Sequence, residues 1–390
     1  MPATAASGIV PPAGPVVAMV AGETSGDLLA GLLLDGLHQR WPGLVASGIG
    51  GPQMVRRGFQ AWWPSDTLAV RGYVEVLRHY RAIVKIRQQL RERLLRQPPA
   101  VFVGVDAPDF NLGLERDLKA RGIKTVQFVC PSVWAWRPER LRTMQQSVDQ
   151  VLCLFPFEPA LLQAHGIKAT YVGHPLAAVI PMQCDRAAAR RQLGLAEAGP
   201  VLAILPGSRR SEVQYLARRF FDAATLLLRA RPHLRCVVPA LPALRGMILR
   251  VAAQAGLAGR LLILEGQSHL ALAACDVTLV ASGTATLEAA LFKRPMVIAY
   301  NMHWLSWRIM RNKRLQPWAG LPNILCRDFV VPELLQDAAK PEALAQAVTR
   351  WLDNPVAMDV LHDRFTVLHH ELLRDTPRLA AEAIGAVLHA

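Results

Sequence analysis

The chain has 390 residues, of which 52% are hydrophobic and 6% aromatic, a composition that excludes a disordered protein and leaves room for two or three domains. Its formal net charge of +14 indicates an anionic partner, which can be nucleic acid, an anionic membrane or a phosphorylated substrate. The six cysteines are single and scattered, so we expect buried free thiols rather than a disulfide framework or a structural zinc site.

The N-terminal residues 1–15 are rich in Pro, Ala and Gly and are expected to form a loose, disordered tail without the basic and apolar regions of a secretory signal. No apolar stretch reaches the roughly 18 to 20 residues of a spanning helix. The sequence therefore predicts a protein that stays in the cytoplasm.

Apolar runs alternate with helical periodicity through the first half of the chain, which predicts βαβ units and a parallel sheet. A helix is expected over 28–41, since Leu28, Leu32, Leu33 and Leu37 share one face. The predicted strands are Val16–Val20, Ala100–Val105, Thr125–Val129, Gln150–Phe155 and Ala169–Val172.

A second series of the same kind follows Pro181, so the predicted fold is α/β, with two Rossmann-like, doubly wound lobes and a cleft between them. We assign 16–175 to an N-terminal domain and 176–359 to a C-terminal domain, and we expect helices over 360–390 to pack back on the first. The second series of strands is Val201–Leu205, Cys236–Pro239, Leu261–Leu264, Val277–Val280 and Met296–Ala299.

Three glycine-bearing turns, at 21–27, 205–209 and 281–288, each follow an apolar run and open into a helical pattern. Turns of this type place unpaired backbone N–H groups and the positive end of a helix at the carboxyl edge of a parallel sheet, where an anion can bind. They predict a two-lobed protein that uses a nucleotide.

The turn at 205–209 carries Gly207, which allows close backbone approach, Ser208, which is placed to cap the next helix, and Arg209, whose planar fork of donors suits a diphosphate. The alternative is a plain N-cap beside a solvated charge. A matching turn after a later strand favours the ligand hypothesis, and its polar positions are Ser282, Gly283, Thr284 and Glu288. Glu288 either accepts from ribose hydroxyls or completes a cap.

Asp106 and Asp109 follow a predicted strand, with Pro108 forcing an extended turn. Asp106 would lie at the cleft between the lobes, where a general base can take a proton from a sugar hydroxyl. Its alternative role is that of a helix N-cap or turn residue.

Eight motifs in order resemble the lipid-A-disaccharide synthase family: AGETSGD at 21–27, GVDAPDFN at 104–111, PSVWAW at 131–136, FPFE at 155–158, GHPL at 173–176, LPGSR at 205–209, ASGTATLE at 281–288 and LPN at 321–323. The resemblance implies a GT-B glycosyltransferase that joins UDP-2,3-diacylglucosamine to 2,3-diacylglucosamine 1-phosphate. The products would be a β-1',6 disaccharide and UDP, formed by an inverting, metal-independent reaction without a cofactor.

By similarity, Asp106 is the base that activates the 6-hydroxyl of the acceptor. Arg209, with the N–H groups near Gly207 and Ser208, would hold the diphosphate. The residues expected near the uridine and ribose are Ser282, Gly283, Thr284 and Glu288, and Asn323 matches a family position at the nucleotide site. There is no Asp-x-Asp pair to clamp a metal, so Arg209 and helix dipoles would balance the charge.

In the first lobe, the acceptor or sugar is expected to contact Glu23, Thr24, Ser25 and Asp27. Glu23 has the alternative of bonding donors in its own loop. Trp134, Trp136 and His174 either line the sugar site or simply pack, and packing is the commoner use of such residues.

Basic helical residues at 73–96 and 302–318 predict peripheral docking on an anionic membrane, with solvated helix faces as the alternative, and the resemblance implies that this membrane surface is the inner face of the inner membrane. Nucleic acid is not an expected partner, and the resemblance implies a homodimer. Cys130, Arg71 and the Pro-rich tail depart from the family pattern. The competing functions are a GT-B-fold epimerase of a UDP-sugar and a non-catalytic basic protein that binds membrane or nucleic acid.

Overall fold

The computed structural model describes residues 14–68, 73–304, 307–308 and 313–390, and at Glu23, Thr24 and 73–80 it describes the backbone only. The chain divides into two compact units. The first unit comprises the residues through Pro175 together with Arg374–Ala390, and the second comprises Leu176–Leu373. Most of the expected loose tail, residues 1–13, and Arg71 lie outside the described residues.

Within the described residues, the first unit contains one sheet of seven parallel strands in the order β3-β2-β1-β4-β5-β6-β7. The order reverses between β1 and β4, so the turns after these two strands flank the point where α/β sheets bind ligands. The strands are β1 (Val16–Ala21), β2 (Val45–Gly50), β3 (Gln60–Pro64), β4 (Val101–Val105), β5 (Lys124–Phe128), β6 (Gln150–Cys153) and β7 (Ala169–Tyr171).

Helices follow most of these strands, as parallel pairing requires. They are α1 (Glu23–Arg40), α2 (Pro52–Val55), α3 (Tyr73–Arg96), α4 (Pro108–Lys119), α5 (Arg140–Ser147) and α6 (Glu158–Gln163), with a short 3-10 helix at Ser65–Thr67. Both faces of the sheet are covered, because Val17 and Met19 face the α1 side while Ala18 and Val20 pack with Phe102 on the other. Burial on both faces explains why the central strands are continuous apolar runs.

The part of the second unit that the structure describes has a six-stranded parallel sheet in the order β10-β9-β8-β11-β12-β13, which reverses between β8 and β11. Its strands are β8 (Val201–Leu205), β9 (Arg235–Ala240), β10 (Leu261–Glu265), β11 (Val277–Ala281), β12 (Met296–Tyr300) and β13 (Glu333–Leu335). The ten strands named from the sequence are all present, whereas β2, β3 and β13 were not predicted.

The helices of the second unit start with α7 (Pro175–Val179), which begins at the boundary between the units, and α8 (Arg186–Gln192). They continue with α9 (Arg210–Ala230), α10 (Pro242–Gln254), α11 (Ser268–Ala274), α12 (Thr284–Leu291), α13 (Leu321–Cys326), a 3-10 helix at Gln336–Ala338, and α14 (Pro341–Leu352). The apolar face of α9 is buried against the sheet, and the helix ends at Ala230, before Pro232.

The C-terminal segment forms two helices, α15 (Pro355–Leu372) and α16 (Thr376–Leu388). The apolar residues Leu361, Phe365, Leu368 and Leu372 are buried on α15. The two units divide at Leu373, so α15 packs on α12 in the second unit while α16 packs on α1 in the first. The block 360–390, expected to pack as one piece on the first domain, is thus shared between the units.

Among the residues that the structure describes, every helix is too short or too polar to cross a membrane. All six cysteines lie in the described part of the chain and all are free thiols. Four of them are buried, as predicted, and Cys184 and Cys326 are partly exposed.

Candidate active site

A cavity of about 290 Å³ opens at the carboxyl edge of the second unit's sheet, at the point where the strand order reverses. It brings together two of the predicted turns, 205–209 and 281–288, which are far apart in the sequence. Its lining includes Gly207, Ser208, Arg209, Glu212, Ser268, Ser282, Gly283, Thr284 and Glu288. Six of the predicted nucleotide-site residues therefore share one cavity with Arg209.

The turn before α9 requires glycine. Gly207 has φ +128°, and a Cβ at this position would lie 2.4 Å from the Cβ of Glu212. Ser208 is not the helix cap, because α9 begins at Arg210 and Arg209 occupies the N-cap position. The cap is supplied instead by Glu212, which accepts hydrogen bonds from Ser208 N (2.9 Å) and Arg209 N (3.2 Å).

Glu212 also accepts from Arg209 Nη1 at 3.0 Å. The carboxylate thus occupies the backbone donors and one side-chain donor that the sequence assigned to a diphosphate. The Arg209 side chain is 61% exposed, so its remaining donors face solvent. Glu212 was not singled out from the sequence, although a glutamate three residues after an N-cap is a recognised capping signal.

The turn before α12 leaves the helix terminus without a side-chain cap. Gly283 is the N-cap, and the Ser282 hydroxyl donates to the Ala319 carbonyl at 3.0 Å rather than to the helix. No side chain caps this helix, and the Thr286 hydroxyl, inside it, donates to Gly283 O. The first N–H groups of α12 consequently remain suited to an anion.

Glu288 lines the cavity one turn into α12, with its side chain 19% exposed. Its Oε2 lies 3.6 Å from Nε2 of His269, a residue that the sequence did not single out. Burial raises the pKa of Glu288, and the positive charge that His269 can carry lowers it. Glu288 completes no cap in α12, which leaves it available as an acceptor.

In the first unit, Asp106 follows β4 and lies beside the turn after β1, where the strand order reverses. Asp106 has φ +53° and Ala107 has φ +42°, so two consecutive residues other than glycine are left-handed. Ala107 is the N-cap of α4. A Cβ on Gly22 would lie 3.4 Å from the Ala107 Cβ, which places the β1 turn against the Asp106 turn.

The backbone of Asp106 is held on both sides. Its N–H donates to Phe128 O at 2.9 Å, and its carbonyl accepts from Asn111 Nδ2 at 2.9 Å and from Gln127 Nε2 at 3.1 Å. The second carboxylate of the motif, Asp109, is 80% exposed and pairs with Arg140 and Arg137. The structure therefore fixes the backbone of Asp106, whereas Asp109 is an exposed carboxylate held by ion pairs.

The predicted acceptor residues of the first turn do not behave alike. Gly22 is the N-cap of α1, and Glu23 and Thr24 have no described side chains, while Ser25 is exposed. Asp27 is 2% exposed, and its carboxylate accepts from Gly51 N, Gln53 N and Met54 N at 2.9 to 3.1 Å. Because three backbone donors use both of its oxygens, Asp27 holds the turn between β2 and α2 instead of facing a cleft.

Asn323 is fully buried and is not part of the cavity lining. Its Nδ2 donates to Val331 O and Glu333 Oε1, and its Oδ1 accepts from Val331 N. These bonds tie α13 to β13. The structure thus places Asn323 in a supporting position, although the sequence placed it at the nucleotide.

Trp134 and His174 belong to a packed cluster in the first unit. Trp134 Nε1 donates to Glu158 Oε1 at 3.0 Å, and its ring meets Phe157 edge-on. His174 stacks on Phe155, and burial lowers the pKa of its ring to about 4, so it is neutral near pH 7. Trp136 lies under Arg137, with 4.4 Å between the guanidinium carbon and the ring centroid.

The basic segments are only partly described. On α3, Arg81 and Lys85 are exposed and Leu90 is buried, while the side chains of Leu77, Arg78 and Tyr80 lie outside the described residues. In 302–318, Trp304 is 65% exposed, and Arg311 lies outside the described residues. Cys130 is buried, which raises the pKa of its thiol far above the ordinary range.

Within the described ranges, no three side chains of the His, Cys, Asp and Glu types come together as metal ligands.

Two solved structures show which fold this is. A calicheamicin glycosyltransferase, CalG4, aligns with TM-score 0.62 and 15% identity over 96% of this chain and 98% of its own. A UDP-GlcNAc 2-epimerase from Neisseria meningitidis, bound to UDP-GlcNAc, aligns with TM-score 0.59 and 12% identity over 96% and 99%. The predicted fold class, a GT-B fold of two Rossmann-like units, is confirmed.

The sequence comparisons are more specific than the fold. The family model described as Lipid-A-disaccharide synthetase matches residues 17–384. The lipid-A-disaccharide synthase of Albidiferax ferrireducens is 67% identical over 377 residues, which cover 95% of this chain and 97% of that protein. The chain is therefore a glycosyltransferase that belongs to the lipid-A-disaccharide synthase family and forms the lipid A disaccharide, as the eight motifs predicted.

Proposed function

We propose that this enzyme transfers 2,3-diacylglucosamine from UDP-2,3-diacylglucosamine to the 6-hydroxyl of 2,3-diacylglucosamine 1-phosphate. The products are the β-1',6 disaccharide 1-phosphate and UDP. The observation that carries this proposal is the cavity in the second unit, where the turns before α9 and α12 open at one sheet edge. Two helix N-termini and an arginine are the groups that stabilise a departing diphosphate.

In the proposed nucleotide site, Arg209 and the N–H groups at Gly207 and Ser208 bind the diphosphate. Glu212 now accepts from Ser208 N, Arg209 N and Arg209 Nη1, so the diphosphate takes over donors that the carboxylate occupies. Two anions repel each other, and Glu212 therefore turns away from Arg209 when the donor binds. The exposed remainder of the Arg209 guanidinium gives the diphosphate its first contact.

Glu288 is the proposed acceptor for ribose hydroxyls, because it lines the cavity and caps nothing. Ser282, Gly283 and Thr284 lie near the uridine end of the same cavity. Asn323 supports this region through Glu333, whose carboxylate also accepts from Ala319 N and Gly320 N.

Asp106 is the proposed general base. Inversion in a single displacement requires one group that takes the proton of the attacking 6-hydroxyl while the diphosphate leaves. Asp106 is half-buried at the reversal point of the first sheet, and its backbone is constrained on both sides. Ser25, exposed on the neighbouring turn, is proposed to contact the acceptor or its sugar, together with Glu23 and Thr24.

We also propose peripheral binding to the anionic inner face of the inner membrane. The exposed Arg81 and Lys85 of α3 support this, since each cation near an anionic bilayer contributes about 1 kcal/mol. The acyl chains of both substrates favour the same location, at about 0.8 kcal/mol for each buried CH₂. Formation of a homodimer remains a prediction from the family resemblance.

The test uses the purified protein with both lipid precursors and measures the disaccharide and free UDP by mass spectrometry. We expect the two products in equal amounts and unchanged turnover in the presence of EDTA. Omitting the acceptor should stop UDP release. A UDP-sugar converted to its C2 epimer without acceptor would instead support the epimerase alternative and overturn the proposal.

A further inference from the structure

Beneath the Asp106 turn lies a buried amide–carboxyl cluster, which we define as Asn111, Glu115 and Gln127 around Gly104. All three side chains have no exposed surface. Asn111 and Glu115 lie on α4, one turn apart, and Gln127 is paired with Gly104 across β5 and β4. None of the three was singled out as a functional residue from the sequence.

The amide nitrogens of this cluster have a clear task. Asn111 Nδ2 and Gln127 Nε2 both donate to the Asp106 carbonyl, and Gln127 Nε2 also lies 3.4 Å from Phe128 O and 3.3 Å from Val129 O. A side-chain oxygen in place of either nitrogen would face carbonyl oxygens only. The carbonyls therefore fix the orientation of both amides, with each oxygen turned into the cluster.

The four side-chain oxygens of the same cluster are buried. Asn111 Oδ1, Gln127 Oε1 and both carboxyl oxygens of Glu115 have no hydrogen-bond partner of ordinary geometry within the described residues. The place where a Cβ on Gly104 would sit is 2.3 Å from Glu115 Oε1 and 2.9 Å from Gln127 Oε1, so the two side chains meet over this glycine. A buried hydrogen-bond acceptor without a donor costs free energy, and four such acceptors in one cluster indicate that a donor is present among them.

A proton on Glu115 supplies that donor. Burial raises the pKa of Glu115 to about 8, while the Gly104 backbone lowers it by a smaller amount. The charged residues on the elements packed against it do not neutralise a carboxylate. Two nearby arginines already pair with other carboxylates, Arg91 of α3 with Asp117 and Arg140 of α5 with Asp109. Arg87 of α3 lies against Gly113. Lys124 is the first residue of β5, at the end of the strand opposite Phe128.

We propose that Glu115 is neutral at physiological pH and donates its proton to the amide oxygen of Gln127. This bond fixes Gln127, and with Asn111 it holds the carbonyl of Asp106, so that Glu115 and Gln127 are positioning residues for the general base. The inference rests on the proposed function through the role of Asp106. It explains how two consecutive left-handed residues without glycine are maintained at this turn.

The first experiment measures the protonation of the Glu115 carboxyl group directly. In protein labelled with ¹³C at the δ-carbon of glutamate, we expect one carboxyl signal that still titrates near pH 8 and that is missing from the Glu115→Gln spectrum. Glu158, whose pKa burial raises to about 7, gives a second shifted signal that this variant retains. A Glu115 signal with the ordinary midpoint of about 4 to 5 would overturn the inference.

The second experiment separates positioning from packing. Glu115→Gln keeps a neutral donor of similar shape, so it should retain kcat within about threefold. Glu115→Met has similar volume but no donor, and we expect kcat to fall by about tenfold or more while both KM values change by less than about twofold. In an Asp106→Asn background the methionine change should have no further effect on kcat.

Equal losses in the glutamine and methionine variants, or full additivity with Asp106→Asn, would show a packing role and overturn the inference. If the methionine variant does not fold, the titration of the wild-type carboxyl decides. Undiminished turnover in Asp106→Asn alone would overturn the role of Asp106 and with it the positioning role. An ordinary Glu115 midpoint with an inactive Asp106→Asn would overturn the inference and leave the proposed function standing.

Discussion

The turn at 206–212 in the second unit and the turn at 106–111 in the first both follow the carboxyl end of a parallel strand, and they are stabilised in opposite ways. Arg209 is largely exposed, and its turn is closed by the carboxylate of Glu212, which an anionic ligand can replace. Asp106 is held through its backbone by fully buried, neutral amides. A site that binds and releases a charged product needs exchangeable contacts, whereas a general base needs a fixed position.

The largest expected effect concerns Asp106, the constrained residue of the first unit. Asp106→Asn should lower kcat by about 10² to 10⁴-fold and leave the Kd for UDP within about twofold, because only proton transfer is lost. Asp109→Asn is the matched control on the same turn, since Asp109 is 80% exposed and its ion pairs are on the surface. Steady-state kinetics of both variants should differ sharply, and equal turnover would remove Asp106 from the mechanism.

The second prediction concerns the exchangeable contacts. Arg209→Ala should lower kcat/KM for the UDP-sugar, by an amount that corresponds to a loss of roughly 2 to 4 kcal/mol of transition-state stabilisation. It should also weaken UDP binding. Arg218→Ala is the control, because Arg218 lies on the same helix and pairs with Asp222, at 2.8 Å. If both variants lost activity alike, the effect would come from helix α9 as a whole and not from the diphosphate.

A third, smaller effect tests whether Asp27, in the turn after β1, stabilises the structure or contacts a ligand. Asp27→Ala should destabilise the first unit by about 2 to 4 kcal/mol, because three buried backbone donors lose their acceptor. Hydrogen exchange of the Gly51 and Met54 amides should quicken, and the Kd for UDP should not change. The exposed Asp66→Ala is the control. Normal amide protection in Asp27→Ala would contradict the structural role.

The smallest effect sharpens the electrostatics of the nucleotide site. A charged His269 favours ionised Glu288, and only ionised Glu288 is a pure acceptor for ribose hydroxyls. In His269→Gln the Kd for UDP should change by less than about twofold near pH 8, and its weakening as the pH falls should begin at a higher pH. Calorimetry measures the Kd for UDP as the pH is lowered from about 8, and His362→Gln, at an exposed histidine, is the control. Identical pH profiles would show that the pair is not coupled to binding.

Five of the six described strands of the second unit were predictable, and the clearest were the central strands β8 and β11, because burial on both faces makes them unbroken apolar runs. β2 was missed since its sequence contains Ser47, Gly48 and Gly50, a composition typical of a loop. Gly48 is required there, because a Cβ would lie 2.1 Å from Met19 O. Small residues forced by close backbone approach hide a strand from propensity arguments.

The candidate site was predictable where the residue's neighbours in sequence are also its neighbours in space. The turns with Gly207 and Gly283 could be read in this way, and they share one cavity. Asp27 and Asn323 could not, because a buried polar side chain beside a turn looks the same in sequence whether its partner is a ligand or a distant backbone group. Glu115 was hidden for the same reason, as its neighbours Gly104 and Gln127 lie on two different strands.

The docking of α16 on α1 constrains how this protein is made. The first unit takes its last helix from the end of the chain, and a Cβ on Gly36 of α1 would lie 2.1 Å from Pro377 O, so the two helices approach closely. During synthesis, the apolar surface of α1 therefore stays uncovered by α16 until the second unit has been translated. Chains that end prematurely before Arg374 would carry this uncovered surface and become substrates for chaperones and proteases.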